Sequence, residues 1–325
     1  MSDRPPLRLA TRGSPLARWQ ASRVAGLLEG VGTASTVVVV ETMADRRTDV
    51  PLDRLGGQGV FVKEVQAAVV RGRADAAVHS AKDLPASPDL HVPDLVLAAL
   101  PERADPRDAL VGGGLDSLPT GAVVATGSAR RRVQLANLRP DLTFVGLRGN
   151  LAARLARVGV DGIAAVVVAQ AALDRLGWSP PEGVVVEALE PDVMLPQVGQ
   201  GALAVECRVD DRATRAALDA IHDPTVGPPV EAERAFLAEL GGGCTLPVGA
   251  HARWVAGSPS DLRLTGMMAS DDGAVVVRHA EEGSRPDVLG RTVARYLLDE
   301  AGGRDLGVWL PSSGGGAGGS SAVER

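Results

Sequence analysis

Cys244, one of only two cysteines in this 325-residue chain, directly follows three glycines in the stretch ELGGGCTLPVG. Because glycine has no side chain, such a loop leaves the thiol uncovered and lets another group approach the backbone closely. An uncovered thiol suits nucleophilic or covalent chemistry, with an incidental loop cysteine as the alternative. The other cysteine, Cys207, lies in the apolar stretch ALAVECRV, which is typical of a buried core thiol.

Lys82 and Asp83 follow the apolar stretch ADAAVHS, at the point where a short strand is expected to end. A carboxylate there could stabilise a developing positive charge or transfer protons. A structural Lys–Asp pair or a helix cap fits the same spacing equally well. His79 is expected to pack at the end of this strand. The spacing of the cysteines does not match a metal site, because Cys207 and Cys244 are far apart in the sequence and neither has a histidine beside it.

Basic and hydroxyl side chains recur at four predicted strand-to-helix junctions. They are Arg12 and Ser14 in ATRGS, Lys82 in HSAKD, Thr126, Ser128, Arg130, Arg131 and Arg132 in TGSARRR, and Arg148 with Arg154 in LRGNLAARL. Helix N-termini already carry partial positive charge, so arginines there are unfavourable unless an anion is present. In an arginine-rich chain, basic residues at a single junction can be explained as solvated surface residues. Basic residues at four junctions together favour one pocket that binds a polyanion.

The elements that would position these residues alternate between strands and helices through the first two-thirds of the chain. Strands are predicted at 7–11, 35–43, 74–80, 95–100, 121–127, 143–147 and 162–169, and helices at 14–29, 59–72, 128–140, 148–159 and 170–177. Ser14 is a suitable N-cap and Pro15 suits the first helical position. Repeated strand–turn–helix units predict a doubly wound, mostly parallel α/β architecture, which binds ligands at the carboxyl ends of its strands.

The pattern changes after Pro229. A helix, three strand-like stretches (HARWVAG, LRLTGMMAS and AVVVRHAEE) and a further helix predict a small α+β domain, followed by a flexible Gly/Ser-rich tail over 311–325. Earlier in the chain, the stretch GGQG at 56–59 is too irregular for a phosphate-binding loop, and a mobile flap or an ordinary surface loop fits it.

Composition limits the classes of function. The net charge of −6 and the aromatic content of 2% disfavour a nucleic-acid binder. No apolar run reaches the length of a membrane span, and the N-terminal stretch lacks the apolar core of a signal peptide. Because the chain also has only two cysteines, we expect a cytoplasmic protein without a membrane or nucleic-acid partner.

In chain order, these motifs resemble those of the porphobilinogen deaminase family, also called hydroxymethylbilane synthases. The matching stretches are LRLATRGSPLARWQA, GGQGVFVKE, ADAAVHSAKDLP, ERADPRDAL, TGSARRRVQL, LRGNLAARL, LPQVGQGALAVECR and GGGC. They extend over nearly the whole chain, from about residue 5 to about residue 300. The combination of HSAKD, TGSARRR and GGGC makes the resemblance specific.

The resemblance implies two lobes similar to periplasmic-binding-protein domains, with the active site in the cleft between them, and a small α+β third domain. Domain 1 would comprise residues 1–100 and 198–220, domain 2 residues 101–197, and domain 3 residues 221–310. The family precedent is a monomer.

The resemblance also implies a transferase that joins four porphobilinogen molecules head to tail, releases ammonia and forms hydroxymethylbilane, a precursor of haem. A dipyrromethane cofactor, attached to Cys244 by a thioether, would prime the growing chain. Asp83 would be the catalytic carboxylate, which stabilises the electron-poor azafulvene formed as the substrate loses ammonia.

Further positions match family residues that bind the acetate and propionate groups of the pyrrole rings. Cofactor binding is implied for Lys82, Thr126, Ser128, Arg130, Arg131 and Gln200. Substrate binding is implied for Arg12, Ser14, Gln20, Phe61, Arg148, Arg154 and Arg175. Two positions depart from the family pattern: Gln58 stands where lysine is frequent, with Arg54 as a nearby cation, and Gly127 stands where serine is frequent, which removes a hydroxyl donor.

Two other classes of protein are compatible with parts of the pattern. A two-lobed protein that only binds an anion would need neither Asp83 in its pocket nor a glycine-flanked thiol. A nucleic-acid binder that uses Arg130 to Arg132 is disfavoured by the net acidity and the few aromatic residues. The residues therefore favour the deaminase.

Overall fold

The computed structural model of this chain describes residues 5–41, 62–241 and 246–306. The first of its three sheets belongs to a lobe that we call lobe one. Its strands are β1 Leu7–Arg12, β2 Ser35–Val40, β3 Ala76–Ser80, β4 Leu95–Ala99 and β10 Leu203–Arg208. They lie in the order β2-β1-β3-β10-β4, and β10 runs antiparallel to both of its neighbours.

Helices cover both faces of this sheet. They are α1 Pro15–Gly30, α2 Lys63–Val70 and α6 Arg212–Asp219. On one face Val24 of α1 and Leu218 of α6 belong to the same core, and on the other face Val65 of α2 packs with Ala10 and Ala77. Burial on both faces explains why the central strands are apolar almost throughout rather than alternating.

The second sheet, in lobe two, repeats this plan. Its strands are β5 Asp108–Val111, β6 Val123–Ala125, β7 Thr143–Val145, β8 Ile163–Ala169 and β9 Val186–Leu189, in the order β7-β6-β8-β5-β9. Here β5 is the antiparallel strand. Its helices are α3 Ala129–Leu138, α4 Leu151–Leu155 and α5 Gln170–Arg175. Leu135 of α3 packs on one face, and Leu155 and Leu173 pack on the other.

The chain crosses between the lobes twice. We call residues 100–107, between β4 and β5, the first crossing and residues 190–202, between β9 and β10, the second crossing. The two crossings are hydrogen-bonded to each other, since the Ala104 amide donates to Gly201 O at 3.0 Å. The amide of Leu203, the first residue of β10, also donates to Glu102 O of the first crossing at 3.0 Å. Each crossing thus delivers the antiparallel strand that completes the sheet of the other lobe.

The third sheet is antiparallel and follows the return of the chain to lobe one. It consists of β11 Val248–Trp254, β12 Leu262–Ala269 and β13 Val276–Gly283, covered by α7 Gly227–Glu239 and α8 Pro286–Arg295. The two helices approach closely at Gly290, where an added Cβ would lie 2.3 Å from Ala232 O. Phe236 of α7 is fully buried at the centre of this core.

The predicted fold class, two doubly wound lobes and a small α+β third domain, is confirmed by the sheet topology. The sheets of the two lobes are mixed rather than mostly parallel, because β10 and β5 each run antiparallel to both of their neighbours. The predicted cap of α1 is also confirmed, since Ser14 Oγ accepts from the Ala17 amide at 3.3 Å. The helix predicted over 148–159 is shorter, at Leu151–Leu155. Strands β5 and β9 and helix α6 were not predicted from the sequence.

Within the part of the chain that the structure describes, no helix combines the length and the apolar character that crossing a bilayer requires.

Candidate active site

Lys82 and Asp83 lie in a single 3-10 turn, Ala81–Asp83, that directly follows β3. The second crossing holds this turn in place, because the Ala81 amide donates to Ala202 O at 2.9 Å. The backbone approach is close: an added Cβ at Gly199, which has φ +70°, would lie 3.1 Å from the Ala81 carbonyl carbon. Lys82 and Asp83 are both half-buried, so neither residue is fully enclosed by the protein.

Gln200, from the second crossing, connects Lys82 to lobe two. Its Oε1 accepts from Lys82 Nζ at 3.1 Å, and its Nε2 donates to Asp108 Oδ1 at 2.9 Å and to Pro106 O at 2.8 Å. Burial and the nearby charge of Arg131 lower the pKa of Lys82 to about 8. Gln200 therefore holds Lys82 in place by linking it to Asp108. The structure does not test the prediction that Gln200 also contacts a cofactor.

Asp108, the first residue of β5, is fully buried and lies between two arginines of α3. Its Oδ2 accepts from Arg130 Nη1 at 2.6 Å, and its Oδ1 accepts from Arg131 Nε at 3.0 Å and Nη2 at 2.8 Å. Burial alone would raise the pKa of Asp108, but the charges of Arg130 and Arg131 outweigh it and hold the pKa well below its usual range. The pair of arginines is thus fixed by one shared carboxylate.

The two arginines differ in the hydrogen-bond donors that their contacts with the protein leave available to a ligand. Arg131 also donates from Nη1 to Val167 O at 2.8 Å, so these contacts use three of its five N–H groups and leave two. Arg130 is almost fully buried, and its Nη1 also donates to Leu195 O at 2.6 Å. Among the described residues, no acceptor lies within hydrogen-bond reach of the buried Arg130 Nε. Arg131 is the better placed of the two to bind a carboxylate.

Thr126 and Ser128 organise the start of α3. Ser128 is the N-cap, whose Oγ accepts from the Arg131 amide at 3.5 Å, and Thr126 Oγ1 accepts from the Ser128 amide at 3.2 Å. Between them, an added Cβ at Gly127 would lie 2.6 Å from Leu147 O. This close approach gives a steric reason for glycine at position 127, where the resemblance described above leads one to expect serine.

Arg154 completes the cationic side of the cleft. Its Nε donates to Gly149 O at 2.8 Å, one turn earlier on the chain. Burial lowers the pKa of Arg154 to about 10; the charge of Arg131 adds to this effect, and the charge of Asp83 opposes it. Arg154 of lobe two therefore lies close enough to Asp83 of lobe one for their charges to interact. Arg148, at the same junction, is exposed.

Three of the residues predicted to bind substrate lie on lobe one. Arg12 ends β1 and is partly exposed, and Ser14 caps α1. Gln20 is buried, and its Nε2 donates to Ser80 Oγ at 2.7 Å, immediately before the Ala81–Asp83 turn. In this structure Gln20 therefore supports the turn from inside the protein.

Arg175 bridges the lobes. From the last residue of α5 its Nη2 donates to Gly201 O at 2.7 Å, and its guanidinium lies 5.4 Å from the ring centroid of Trp19 on α1. The contact with the aromatic face is a cation–π interaction. Arg175 is 8% exposed, so most of the side chain is engaged within the protein.

Two predicted site residues, Cys244 and Phe61, lie outside the described residues, as do Gln58 and Arg54. Cys244 follows α7, which ends at Glu239.

Glu233 on α7 is a central residue that sequence reasoning missed. It is fully buried, and its carboxylate accepts from Arg103 Nη1 at 2.8 Å, from the Gly199 amide at 2.7 Å and from the Ala252 amide at 2.9 Å. Burial would raise the pKa of Glu233, but Arg103 and His251 outweigh it and lower the pKa to about 2. This one carboxylate joins the third domain to both crossings.

Two family models match most of the chain. "Porphobilinogen deaminase, dipyromethane cofactor binding domain" matches residues 7–216, and "Porphobilinogen deaminase, C-terminal domain" matches residues 229–299.

Among solved structures, a VFT2 domain of BvgS from Bordetella pertussis is similar at 16% identity, with 72% of this chain and 93% of that chain covered and a TM-score of 0.43. The GluR0 ligand-binding core in complex with L-glutamate is similar at 10% identity, with 68% and 91% covered and a TM-score of 0.39. Likeness at these TM-scores is too distant to support a conclusion about this chain.

Curated relatives share far more of the sequence. Porphobilinogen deaminase of Acidothermus cellulolyticus is 46% identical over 90% of this chain and 88% of its own length. The enzyme of Nocardia farcinica is 47% identical over 93% and 88%, and that of Geobacter sulfurreducens is 43% identical over 91% and 92%. On these matches, which extend from the first strand to the last helix, the chain belongs to the porphobilinogen deaminase family.

Proposed function

We propose that this chain carries out the reaction of its family, the joining of porphobilinogen molecules into hydroxymethylbilane, in the cleft in front of Asp83. Family membership assigns the activity, a transferase of tetrapyrrole biosynthesis, and the dipyrromethane cofactor. One observation carries the assignment to this cleft: Lys82 and Arg154, from different lobes, each lie close enough to Arg131 and to the partly exposed Asp83 for their charges to interact.

The cationic cluster suits a ligand with several carboxylates. Lys82, Arg130 and Arg131 carry three positive charges around one buried carboxylate, Asp108. The excess positive charge and the two remaining donors of Arg131 suit the acetate and propionate groups of pyrrole rings, because charge-assisted hydrogen bonds are the strong ones. A neutral ligand would leave that charge unbalanced. The donor set therefore fits a dipyrromethane held by Lys82 and Arg131, with Cys244 as its covalent anchor.

Asp83 is the proposed catalytic residue. When bound, the dipyrromethane supplies the pyrrole carbon to which the first substrate is joined. As porphobilinogen loses ammonia, positive charge develops on its ring, and the carboxylate of Asp83 stabilises that charge. Asp83 can also accept a proton during the joining of rings, since it is partly exposed at the end of the Ala81–Asp83 turn.

Arg154, Arg148, Arg12 and Ser14 are the proposed substrate-binding residues on the rim of the cleft, with Phe61 as a further member outside the described residues. Gln20, Arg130, Gln200 and Arg175 are assigned a supporting part, because their polar groups already bond to the protein. Thr126 and Ser128 contribute by fixing the start of α3.

The domain division stays a proposal as well: residues 1–100 with 198–220, 101–197 and 221–310. Sheet membership supports this division, since each domain contains one complete sheet. In domain 1, strands β1 to β4 come from residues 1–100 and strand β10 comes from residues 198–220. We propose a cytoplasmic monomer, supported by the low cysteine count and the near-absence of aromatic residues from the chain.

Intact mass of the purified protein tests the covalent primer. We expect a mass above that of the sequence by two linked pyrrole units, and Cys244→Ser should lose the excess. Cys207→Ala is the matched control, because Cys207 is buried in β10 and should leave the excess in place. A fully active wild-type protein at the unmodified mass would overturn the assignment of Cys244.

A further inference from the structure

Gln134 lies on α3, one turn after Arg130, and is 1% exposed. Its side-chain amide uses all of its hydrogen-bonding capacity within the protein. Nε2 donates to Leu195 O at 3.1 Å and to Arg130 O at 3.2 Å. Oε1 accepts from the Leu195 amide at 2.8 Å and from Arg278 Nη2 at 3.1 Å. Because two carbonyl groups face one side of the amide and two N–H groups face the other, only one orientation of the amide fits.

Leu195, on the second crossing, is held by apolar contacts, but its peptide groups are satisfied by Gln134. The side chain of Leu195 packs with Val133 of α3 and with Met267 and Ala269 of β12. Such packing fixes where the residue lies, but apolar atoms cannot satisfy a buried N–H or C=O. Gln134 pairs with both groups, so the direction in which the Leu195 carbonyl points depends on this amide.

That direction matters because the same carbonyl is an acceptor for Arg130. Arg130 Nη1 donates to Leu195 O and to Asp108 Oδ2, both at 2.6 Å. The other oxygen of Asp108 accepts from Arg131 Nε and Nη2. A chain of hydrogen bonds therefore runs from Gln134 through Leu195 and Arg130 to the carboxylate that fixes Arg131.

Arg278 connects this chain of hydrogen bonds to the third domain. From β13, its Nη2 donates to Gln134 Oε1 and to Val193 O, each at 3.1 Å, and its Nη1 donates to Asp192 O. Val193 and Asp192 belong to the second crossing. The guanidinium thus bonds both to the crossing and to the amide that pairs with it, and a group outside α3 helps to fix the orientation of Gln134.

We propose that Gln134 is a positioning residue for the cationic cluster, which aims the Leu195 carbonyl at Arg130 and thereby holds Arg131 where it can bind a carboxylate. The proposal rests on the proposed function, in which Arg131 binds carboxylates of pyrrole rings. Because Gln134 is buried, it acts through Arg130 rather than on the ligand. Its loss should weaken the binding of carboxylates more than it slows the chemistry at Asp83, which lies on lobe one.

The charge of Lys82 should respond as well. The charged groups that act on it are Asp83, Asp108, Arg130 and Arg131. Burial, Arg131 and Arg130 lower the pKa of Lys82, so arginines that are held less firmly should let this pKa rise. The pH above which kcat/KM falls should then move up. A general loss of stability would not move that pH.

The test compares Gln134→Met, Gln134→Asn and Asn137→Ala with the wild type. Methionine keeps the length of the side chain and removes its hydrogen bonds, and asparagine carries the amide on a stem that is shorter by one carbon. Asn137→Ala is the matched control, because it removes an amide hydrogen bond from the same helix to the third domain, at Gly273 O. That bond does not involve Leu195.

For each protein, intact mass gives the fraction with the covalent adduct, and thermal unfolding shows whether the protein is folded. The kcat per adduct-bearing molecule and the KM for porphobilinogen are then measured from about pH 7 to about pH 9, the range that brackets the pKa of Lys82.

We expect Gln134→Met to raise KM about 10-fold with kcat within about threefold of the wild type, because a charge-assisted contact is weakened. The pH above which kcat/KM falls should rise by about half a unit or more. Gln134→Asn should lie between this variant and the wild type, and Asn137→Ala should match the wild type.

A KM of Gln134→Met within about twofold of the wild type, an unchanged pH dependence, or equal changes in Asn137→Ala would each overturn the proposal. If Gln134→Met does not fold, Gln134→Asn decides by the same criteria. A wild type without the adduct would instead refute the proposed function.

Discussion

Lys82 is the residue whose charge depends most on its surroundings within the cleft. Its pKa is lowered to about 8 by burial and by Arg131, so the ammonium is charged below that pH and neutral above it. Only the charged form attracts carboxylates. Below pH 8 the cationic cluster is therefore complete, and above it one positive charge is lost.

We expect kcat/KM for porphobilinogen to fall as pH rises through about 8, because Lys82 then loses its proton. Lys82→Arg should not lose its charge in this range, since even the largely desolvated Arg154 keeps a pKa of about 10. The ratio of wild-type to Lys82→Arg kcat/KM should therefore decrease above pH 8, whichever other groups titrate in both proteins. A ratio that is constant from about pH 7 to about pH 9 would exclude Lys82 as the titrating group.

Residues next to an apolar run could be located from the sequence, whereas their partners could not. Lys82 and Asp83 follow ADAAVHS, so their place at a strand end was predictable and is confirmed. No pattern in the sequence around Asp108 indicated that it belongs to the site. Its partners Arg130 and Gln200 are 22 and 92 positions away, and only the fold brings them to one carboxylate.

At the scale of elements, α3 depends on the close approach of its first turn to the segment after β7. Gly127 precedes the Ser128 cap, and an added Cβ there would lie 2.6 Å from Leu147 O. A backbone carbonyl cannot move aside as a flexible side chain can. A side chain at position 127 would therefore require the backbone of the segment 145–147 to shift.

Gly127→Ser should destabilise the protein by about 1–3 kcal/mol, because the new side chain forces the backbone apart. Thermal unfolding measures the effect. Gly146→Ser is the matched control: no atom of the described residues lies within 4 Å of an added Cβ there, so its midpoint should change little. An unchanged or higher midpoint for Gly127→Ser would show that the segment 145–147 adapts.

Element types were predictable where the apolar period was long. The 16-residue α1 and the seven-residue β8 were read correctly, and α1 carries both its predicted N-cap and its predicted proline. The four-residue strand β5 was missed because Asp108–Val111 follows a polar, proline-containing stretch that resembles a domain boundary, and β9 was missed as well. Tertiary pairing, rather than local propensity, makes these residues strands.

For the whole molecule, Glu233 is the point at which the third domain meets both crossings. Its carboxylate takes hydrogen bonds from Arg103 on the first crossing and from Gly199 on the second, and it is fully buried. Removing one partner of such a buried pair leaves the other charge uncompensated.

Glu233→Gln should lower stability by about 3–5 kcal/mol, because Arg103 then remains buried without its counterion. Urea unfolding followed by fluorescence measures the midpoint. Glu282→Gln, which removes an exposed pair with Arg263 in the same domain, is the control and should cost less than about 1 kcal/mol. Equal midpoints for the two variants would mean that the Arg103–Glu233 pair does not join the domains.

The two crossings also dictate an order for the synthesis of the chain. Lobe one lacks β10 until residue 208 has left the ribosome, so β3 and β4 keep open edges while all of lobe two is being made. Unpaired strand edges are templates for aggregation. A nascent chain halted anywhere between β4 and β10 therefore carries an unfinished sheet, and separating the lobes by cutting either crossing would yield no fragment with a complete lobe one. The sheet of lobe one can therefore be completed only after the second half of the chain has begun to emerge.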